Sequence, residues 1–366
     1  MSRRRSSWSD GEAIRSAAQL HMPESIGTPL KLSVLDQSPI SQGMSTGDAL
    51  RNSIDLARLA ERLGYTRYWV AEHHATRMLA CASPEVLLGP IGAATSRIQI
   101  GSGGVMLPHY SALKVAETFR MLAALYPGRI DLGLGRAPGS DPLTAWALQR
   151  DKRQAAPDDF REQLADVLAC IGEGFPAHHP LARAVSPASP AERPTPWLLG
   201  SSPQSGVWAA ELGLPYAFAD FIASGGAAIA RAYARDFVPS ATLAAPRVIV
   251  AAWVLCAERD EDAERLASSS RMSFAHFLSG HPIQVPPVDA AEAFLREHAD
   301  VLHTIIARRR AIVGSPATAR TQIEQLAAEY GADEVMVVTI TYDHAARRRS
   351  YELLAEAFGL QVDRPR

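Results

Sequence analysis

From Leu30 onward the chain alternates short apolar runs with longer segments whose apolar residues recur at helical spacing. The short runs are LKLSVLD (30–36), TRYWVAE (66–72), IQIGSGGVM (98–106), RIDLGLG (129–135), WLLGSS (197–202), PYAFAD (215–220), RVIVAAWVLCA (247–257) and EVMVVTIT (334–341). Several are almost continuously hydrophobic, which suits strands buried on both faces. The amphipathic segments fall at 48–63, 84–95, 110–126, 158–171, 203–212, 225–237, 258–278 and 316–330. In the first, Leu50, Ile54, Ala57 and Leu63 share near-helical spacing, and Gly64 stands at the stop position. Eight strands, each followed by a helix, predict an α/β chain folded as a (β/α)8 TIM barrel. An open doubly wound sheet is the alternative. Against it, no GxGxxG follows the first strand, and polar residues collect at the C-terminal ends of many strands, where barrel sites lie. Two connections are long, 173–196 and 271–312, and are expected to be insertions at the C-terminal mouth acting as lids or interface segments.

Length alone would suggest two or three domains, since 366 residues exceed twice the roughly 150 typical of one. The strand count replaces that with a single barrel domain over residues 30–366 and a loosely held N-terminal extension over 1–29. The extension opens on Arg3-Arg4-Arg5, but no apolar stretch follows, so an export signal is not expected. A net charge of −2 gives no basic surface for a nucleic acid. No apolar run approaches the roughly 18 residues of a membrane span. Three scattered cysteines (Cys81, Cys170, Cys256) form no disulfide framework, which points to a cytoplasmic setting.

The strand ends carry the candidate chemistry. Strand two closes on Ala71-Glu72-His73-His74. Adjacent strand residues point to opposite faces, so the two histidines cannot easily share a metal ion, and no metal site is expected. One imidazole facing the mouth would handle a proton, with Glu72 behind it to orient or charge-pair it. Gly101-Ser102-Gly103-Gly104 ends strand three, marking either close approach of a flat ligand or crowding inside the barrel. Arg136, framed by glycines after strand four, is an anion fork. After strand five, Ser201, Ser202 and Ser205 bring hydroxyls and free N–H groups to a helix start, the makings of a phosphate cradle. Asp36 and Gln37 end strand one and are candidates to touch substrate. Phe274 and Phe277 could form an apolar lid over it, or simply belong to an amphipathic helix.

Over about Leu32 to Phe358 the sequence resembles the bacterial luciferase-like, flavin-dependent monooxygenases. The likeness rests on GYTRYWVAEHH, ASPEVLLGPIGAATSRIQIGSGGVMLP, VAETFRMLAALYPGRIDLGLGRAPG and PWLLGSSPQS, in that order, with a late VGSP before the last barrel helix. Within the family it is similar to members that tailor actinobacterial aromatic polyketides of the mensacarcin type. The resemblance implies FMN, delivered reduced by a separate flavin reductase, and O2 as co-substrate. A C4a-(hydro)peroxyflavin would then hydroxylate or epoxidise a small organic molecule. It implies His73 as the catalytic histidine, a non-prolyl cis bond at Gly103–Gly104 beneath the ring, Arg136 on the phosphate, and Ser202 and Ser205 beside it. It also implies a homodimer. Three positions depart from the family pattern: Gly135 where luciferase has a reactive cysteine, Ser201 in place of an acidic residue, and Ala112 in place of a proline. Rival readings are an F420-dependent oxidoreductase on the same barrel and a non-catalytic flavin-binding accessory protein.

Overall fold

The computed structural model describes residues 29–136, 141–149, 151–154, 158–299 and 310–361. Apart from Pro29, the N-terminal extension therefore lies outside the described residues. The strands are β1 (Lys31–Asp36), β2 (Arg67–Val70), β3 (Gln99–Met106), β4 (Ile130–Gly135), β5 (Thr195–Gly200), β6 (Tyr216–Ala219), β7 (Val248–Cys256), β8 (Ala311–Gly314) and β9 (Glu334–Val338). All pair in parallel. β1 through β7 lie side by side in order, and β9 closes the ring between β7 and β1. This is the (β/α)8 barrel expected from the strand count, and its eight strands are the eight read from the sequence. The addition is β8, a four-residue strand on Trp253–Cys256, beyond the part of β7 that pairs with β6.

The helices are α1 (Thr46–Leu63), α2 (Pro84–Ala94), α3 (Ala112–Leu125), α4 (Pro142–Leu148), α5 (Phe160–Ile171), α6 (Pro203–Glu211), α7 (Ala227–Asp236), α8 (Asp260–Leu278), α9 (Val288–Glu297), α10 (Pro316–Tyr330) and α11 (His344–Phe358). Their ends follow local chemistry. Ser45 and Asp48 form a reciprocal capping box at the start of α1. Gly64 ends it at φ 86°, where a Cβ would also lie 2.6 Å from the Gln361 carbonyl oxygen. α4, α9 and α11 were not foreseen. The last completes the eighth strand–helix unit.

Side chains fill the barrel in layers. At the N-terminal end, Arg67 sits between two buried carboxylates, with Nη1 2.5 Å from Asp131 and Nε 2.5 Å from Glu334. Ser33 donates to Glu334, and the indoles of Trp69 and Trp197 donate to Asp131. Although burial opposes it, the Arg67 charge holds the Glu334 carboxyl below its usual range. Above this polar plug lies an apolar layer of Leu35, Trp69, Trp197, Ala217, Ile249 and Met336. The barrel is therefore solid up to its C-terminal rim.

Only one of the two long connections sits at that rim. The 173–196 segment joins α5 to the start of β5, so it lies on the opposite, N-terminal face, where Arg120 of α3 ties it down through Ser186 and Glu192. An insertion at the mouth was expected there, but strand polarity places it elsewhere. The 271–312 region is also less open than a loop. Among the described residues it holds the end of α8, all of α9 and the start of β8, and its Val285 docks on the segment after β1.

Candidate active site

β2 delivers the motif 72–74 to the rim. Glu72 is fully buried, and its Oε1 accepts from His74 Nε2 at 2.7 Å and from Tyr110 Oη at 2.7 Å, while Oε2 accepts from the Met106 N–H at 3.1 Å. The sequence reading had Glu72 orienting His73. The structure pairs it with His74 instead, in the extended segment just past the end of β2. His73 is held through its backbone, its N–H donating to the Cys81 carbonyl. Its Nδ1 is buried without a hydrogen-bond partner among the described residues. Burial, with the neighbouring His74, pushes the imidazole down to about 4, so it is neutral at neutral pH. Ala75, just past the motif, holds φ +49°, a conformation that residues with a side chain seldom adopt.

The glycines of β3 are explained first by chain packing. A Cβ at Gly101 would meet the Asp131 backbone at 2.4 Å, and one at Gly133 would meet the Ser102 carbonyl at 2.2 Å. β3 and β4 approach too closely for side chains there. At Gly103 the obstacle is Leu35 at 2.6 Å with Trp69 behind, and at Gly104 it is Gly133 and Leu199. Crowding within the barrel thus accounts for the cluster. Even so, Gly103 and Gly104 are the two half-exposed residues near the C-terminal end of a strand otherwise buried from Ile100 to Met106, and the bond between them is cis. They present bare backbone to the mouth beside His73, since β2 and β3 are paired up to Val70 and Ser102.

Arg136 leaves β4 exposed, its guanidinium 5.6 Å from the Trp208 ring centre on α6. Trp208 is itself stacked on Phe160 of α5. Ser202 occupies the N-cap of α6 and its side chain makes no capping bond, which leaves its hydroxyl and the first-turn N–H groups available. Ser205 differs. Its hydroxyl donates to the Ser202 carbonyl at 2.7 Å and meets Tyr216 Oη at 2.9 Å, so it braces the turn. Ser201 is half-buried beside them. The loop 137–140 after Arg136 lies outside the described residues.

The candidates on β1 and α8 separate. Asp36 is fully buried in an ion pair with Arg347, 2.6 Å away, and accepts from Tyr68 Oη and the Ser38 N–H. Burial opposes its ionisation, but Arg347, Ser53 and Tyr68 hold the carboxyl below its usual range. It is a structural carboxylate and is not offered to substrate. Gln37 is buried next to it. Phe274 lines a cavity beneath α8, whereas Phe277 on the same helix is 53% exposed. Both lie on the last turns of α8, and only Phe274 faces inward. The cover at the mouth comes from within 271–312, the connection that the sequence marks as a lid. Val285 is fully buried, exchanges backbone hydrogen bonds with Ile40 and Gln42, and packs with Leu79 and Ile340. Its signal in the sequence is the HPIQVPPVD stretch within that long connection.

The sequence profile described as luciferase-like monooxygenase matches residues 30–334. The chain belongs to the luciferase-like monooxygenases. This luciferase-like monooxygenase is 36% identical over 332 residues to the N-acetyl-S-alkylcysteine monooxygenase of Bacillus subtilis, covering 90% of the chain and 98% of that relative. It is 40% identical to apo-MsnO8, whose crystal structure superposes with a TM-score of 0.81 over 91% of this chain and 98% of the other. At 18% identity it shares the fold of the oxygenating constituent of 3,6-diketocamphane monooxygenase of Pseudomonas putida, solved in complex with FMN (TM-score 0.68, covering 92% and 100%). The residues of this monooxygenase suit a flavin. An imidazole nitrogen buried without a partner among the described residues, a backbone-only floor, an exposed arginine and an uncapped helix start follow one another at the C-terminal ends of β2, β3, β4 and β5.

Proposed function

We propose that this monooxygenase is the oxygenating component of a two-component system. It binds FMN that a separate flavin reductase delivers in reduced form, and adds one oxygen atom of O2 to a small organic substrate in the cytoplasm. The observation that carries this reading is the pairing of the half-exposed Gly103–Gly104 backbone with the unpartnered Nδ1 of His73 on the neighbouring strand end. Arg136 would hold the phosphate with the Ser201 and Ser202 hydroxyls, and Ser205 would keep that turn in shape. Bound reduced FMN supplies the electrons that activate oxygen.

The chain's own residues do the rest. Val285, Leu79 and Ile340 close one side of the mouth with an apolar seal that keeps water from the reacting atoms. His73, neutral and desolvated, exchanges a proton at Nδ1, where no internal partner competes. Glu72 fixes His74 and Tyr110 behind it, setting the shape of the rim. The resemblance to polyketide-tailoring members of the family makes aromatic polyketides the first substrates to screen, and the Bacillus relative adds N-acetyl-S-alkylcysteines.

Titration of the protein with FMN and with riboflavin tests the cofactor site. Arg136→Ala is expected to weaken FMN about tenfold to a hundredfold, the worth of a charge-assisted hydrogen bond, and to leave riboflavin unchanged. Equal loss for both would remove Arg136 from the phosphate. Oxygen uptake with reduced FMN, compared with reduced F420, tests the reaction, and a protein that binds and turns over only F420 would overturn it.

A further inference from the structure

A cavity of about 130 Å³ lies between α8 and the C-terminal ends of β7 and β9. Its walls are Trp253, Leu255, Phe274, Val338 and Ile340, with Arg271 and Ser270 as its polar side chains. Cavities of roughly 150 Å³ lined by such residues accept a benzene ring, so the space fits one aromatic ring. Its Trp253 wall packs toward the proposed flavin floor. Trp253 packs edge-on to Phe221 at 5.8 Å, and both join the interior cluster of Leu35 and Trp69 that lies directly under Gly103.

Arg271 decides which ring. Its side chain is 25% exposed, and Nη1 is held 2.5 Å from Glu264 on the same helix. That charge is already paired, so a second carboxylate would bring an uncompensated negative charge against apolar walls. A neutral carbonyl oxygen can use the remaining guanidinium donors without that cost.

We propose that this cavity is the substrate-recognition pocket and that it takes a neutral aromatic carbonyl group, with the ring among Trp253, Phe274 and Val338 and the oxygen on Arg271. The proposal rests on the monooxygenase reading above, and binding to the full-length protein tests it without turnover. By calorimetry, acetophenone is expected to bind about tenfold more tightly than ethylbenzene, and benzoate most weakly. Arg271→Met should erase the preference for acetophenone over ethylbenzene. Ala267→Phe, or Ser270→Leu should the first not fold, should weaken both ligands at least tenfold by filling the space. Binding of FMN should be untouched in all three variants, so its loss in the wild type would indict the flavin reading and not this one. Absence of saturable acetophenone binding, benzoate binding most tightly, or filled variants that bind as well as wild type would each overturn the proposal.

Discussion

At the level of single residues, the two strand-end acids show how far sequence can go. Asp36 and Glu72 both stand at a strand terminus and both look catalytic in one dimension. The structure spends each on internal structure, Asp36 on Arg347 and Glu72 on His74 and Tyr110. Nothing in the sequence pairs position 36 with position 347, because that contact exists only once β9 has closed the barrel beside β1. Asp36→Asn would leave the Arg347 charge buried and uncompensated, and should cost about 3–5 kcal/mol in denaturant unfolding. A loss under 1 kcal/mol would mean that the pair is not formed in solution. His73 carries the opposite signature. Its imidazole takes a proton near 6.5 when unfolded and only near 4 when folded, so between those values the unfolded chain binds more protons. Stability from this residue is whole above pH 6.5 and is lost as pH falls toward 4. Thermal unfolding from pH 7 to pH 4 should therefore penalise the wild type by roughly 2–3 kcal/mol more than His73→Gln. Parallel pH profiles for the two proteins would show that His73 is solvated and not desolvated.

At the level of elements, strand periodicity was the strongest signal, and all eight barrel strands were legible from it. The short β8 was not, since four residues, AIVG, carry no period of their own. α9 was hidden for a different reason: it follows two prolines inside a stretch whose composition resembles a loop. The glycine cluster was visible as a cluster, but its cause was not. Sequence cannot distinguish a strand bared for a ligand from one bared for its neighbour, and here the neighbour accounts for the missing side chains. Gly133→Ala tests that distinction, because its Cβ would fall 2.2 Å from the Ser102 carbonyl and 2.9 Å from Leu199. β3 and β4 must separate to admit it, so a loss of about 1–3 kcal/mol is expected in chemical denaturation, with or without FMN. If stability is unchanged and only flavin binding suffers, the glycine serves the ligand and the packing account fails.

For the whole molecule, the eight barrel strands close into a ring, only the short β8 ends the sheet among the described residues, and the outer faces are helices. Large apolar side chains are exposed on α2 and on the C-terminal half of α3. Val86 is 71% exposed, and Met121 and Leu125 are each 66% exposed. Pro90 and Ala93 continue the outward side of α2 at helical spacing, and Ala124 continues that of α3. We propose that two copies of the chain would meet on these exposed apolar side chains of α2 and the C-terminal half of α3, because such a patch is costly to leave in water. A stable interface needs to bury roughly 1,000 Å² or more, which two neighbouring helices meeting their copies can supply. Met121→Asp with Leu125→Asp should then convert a dimer to a monomer in light scattering coupled to size-exclusion chromatography. Melting should be little changed once the comparison is made at equal protomer state, since surface substitutions usually shift stability by under about 0.5 kcal/mol. A wild type already monomeric at micromolar concentration would refute the assembly, and a dimer that survives both charges would place the interface on another face.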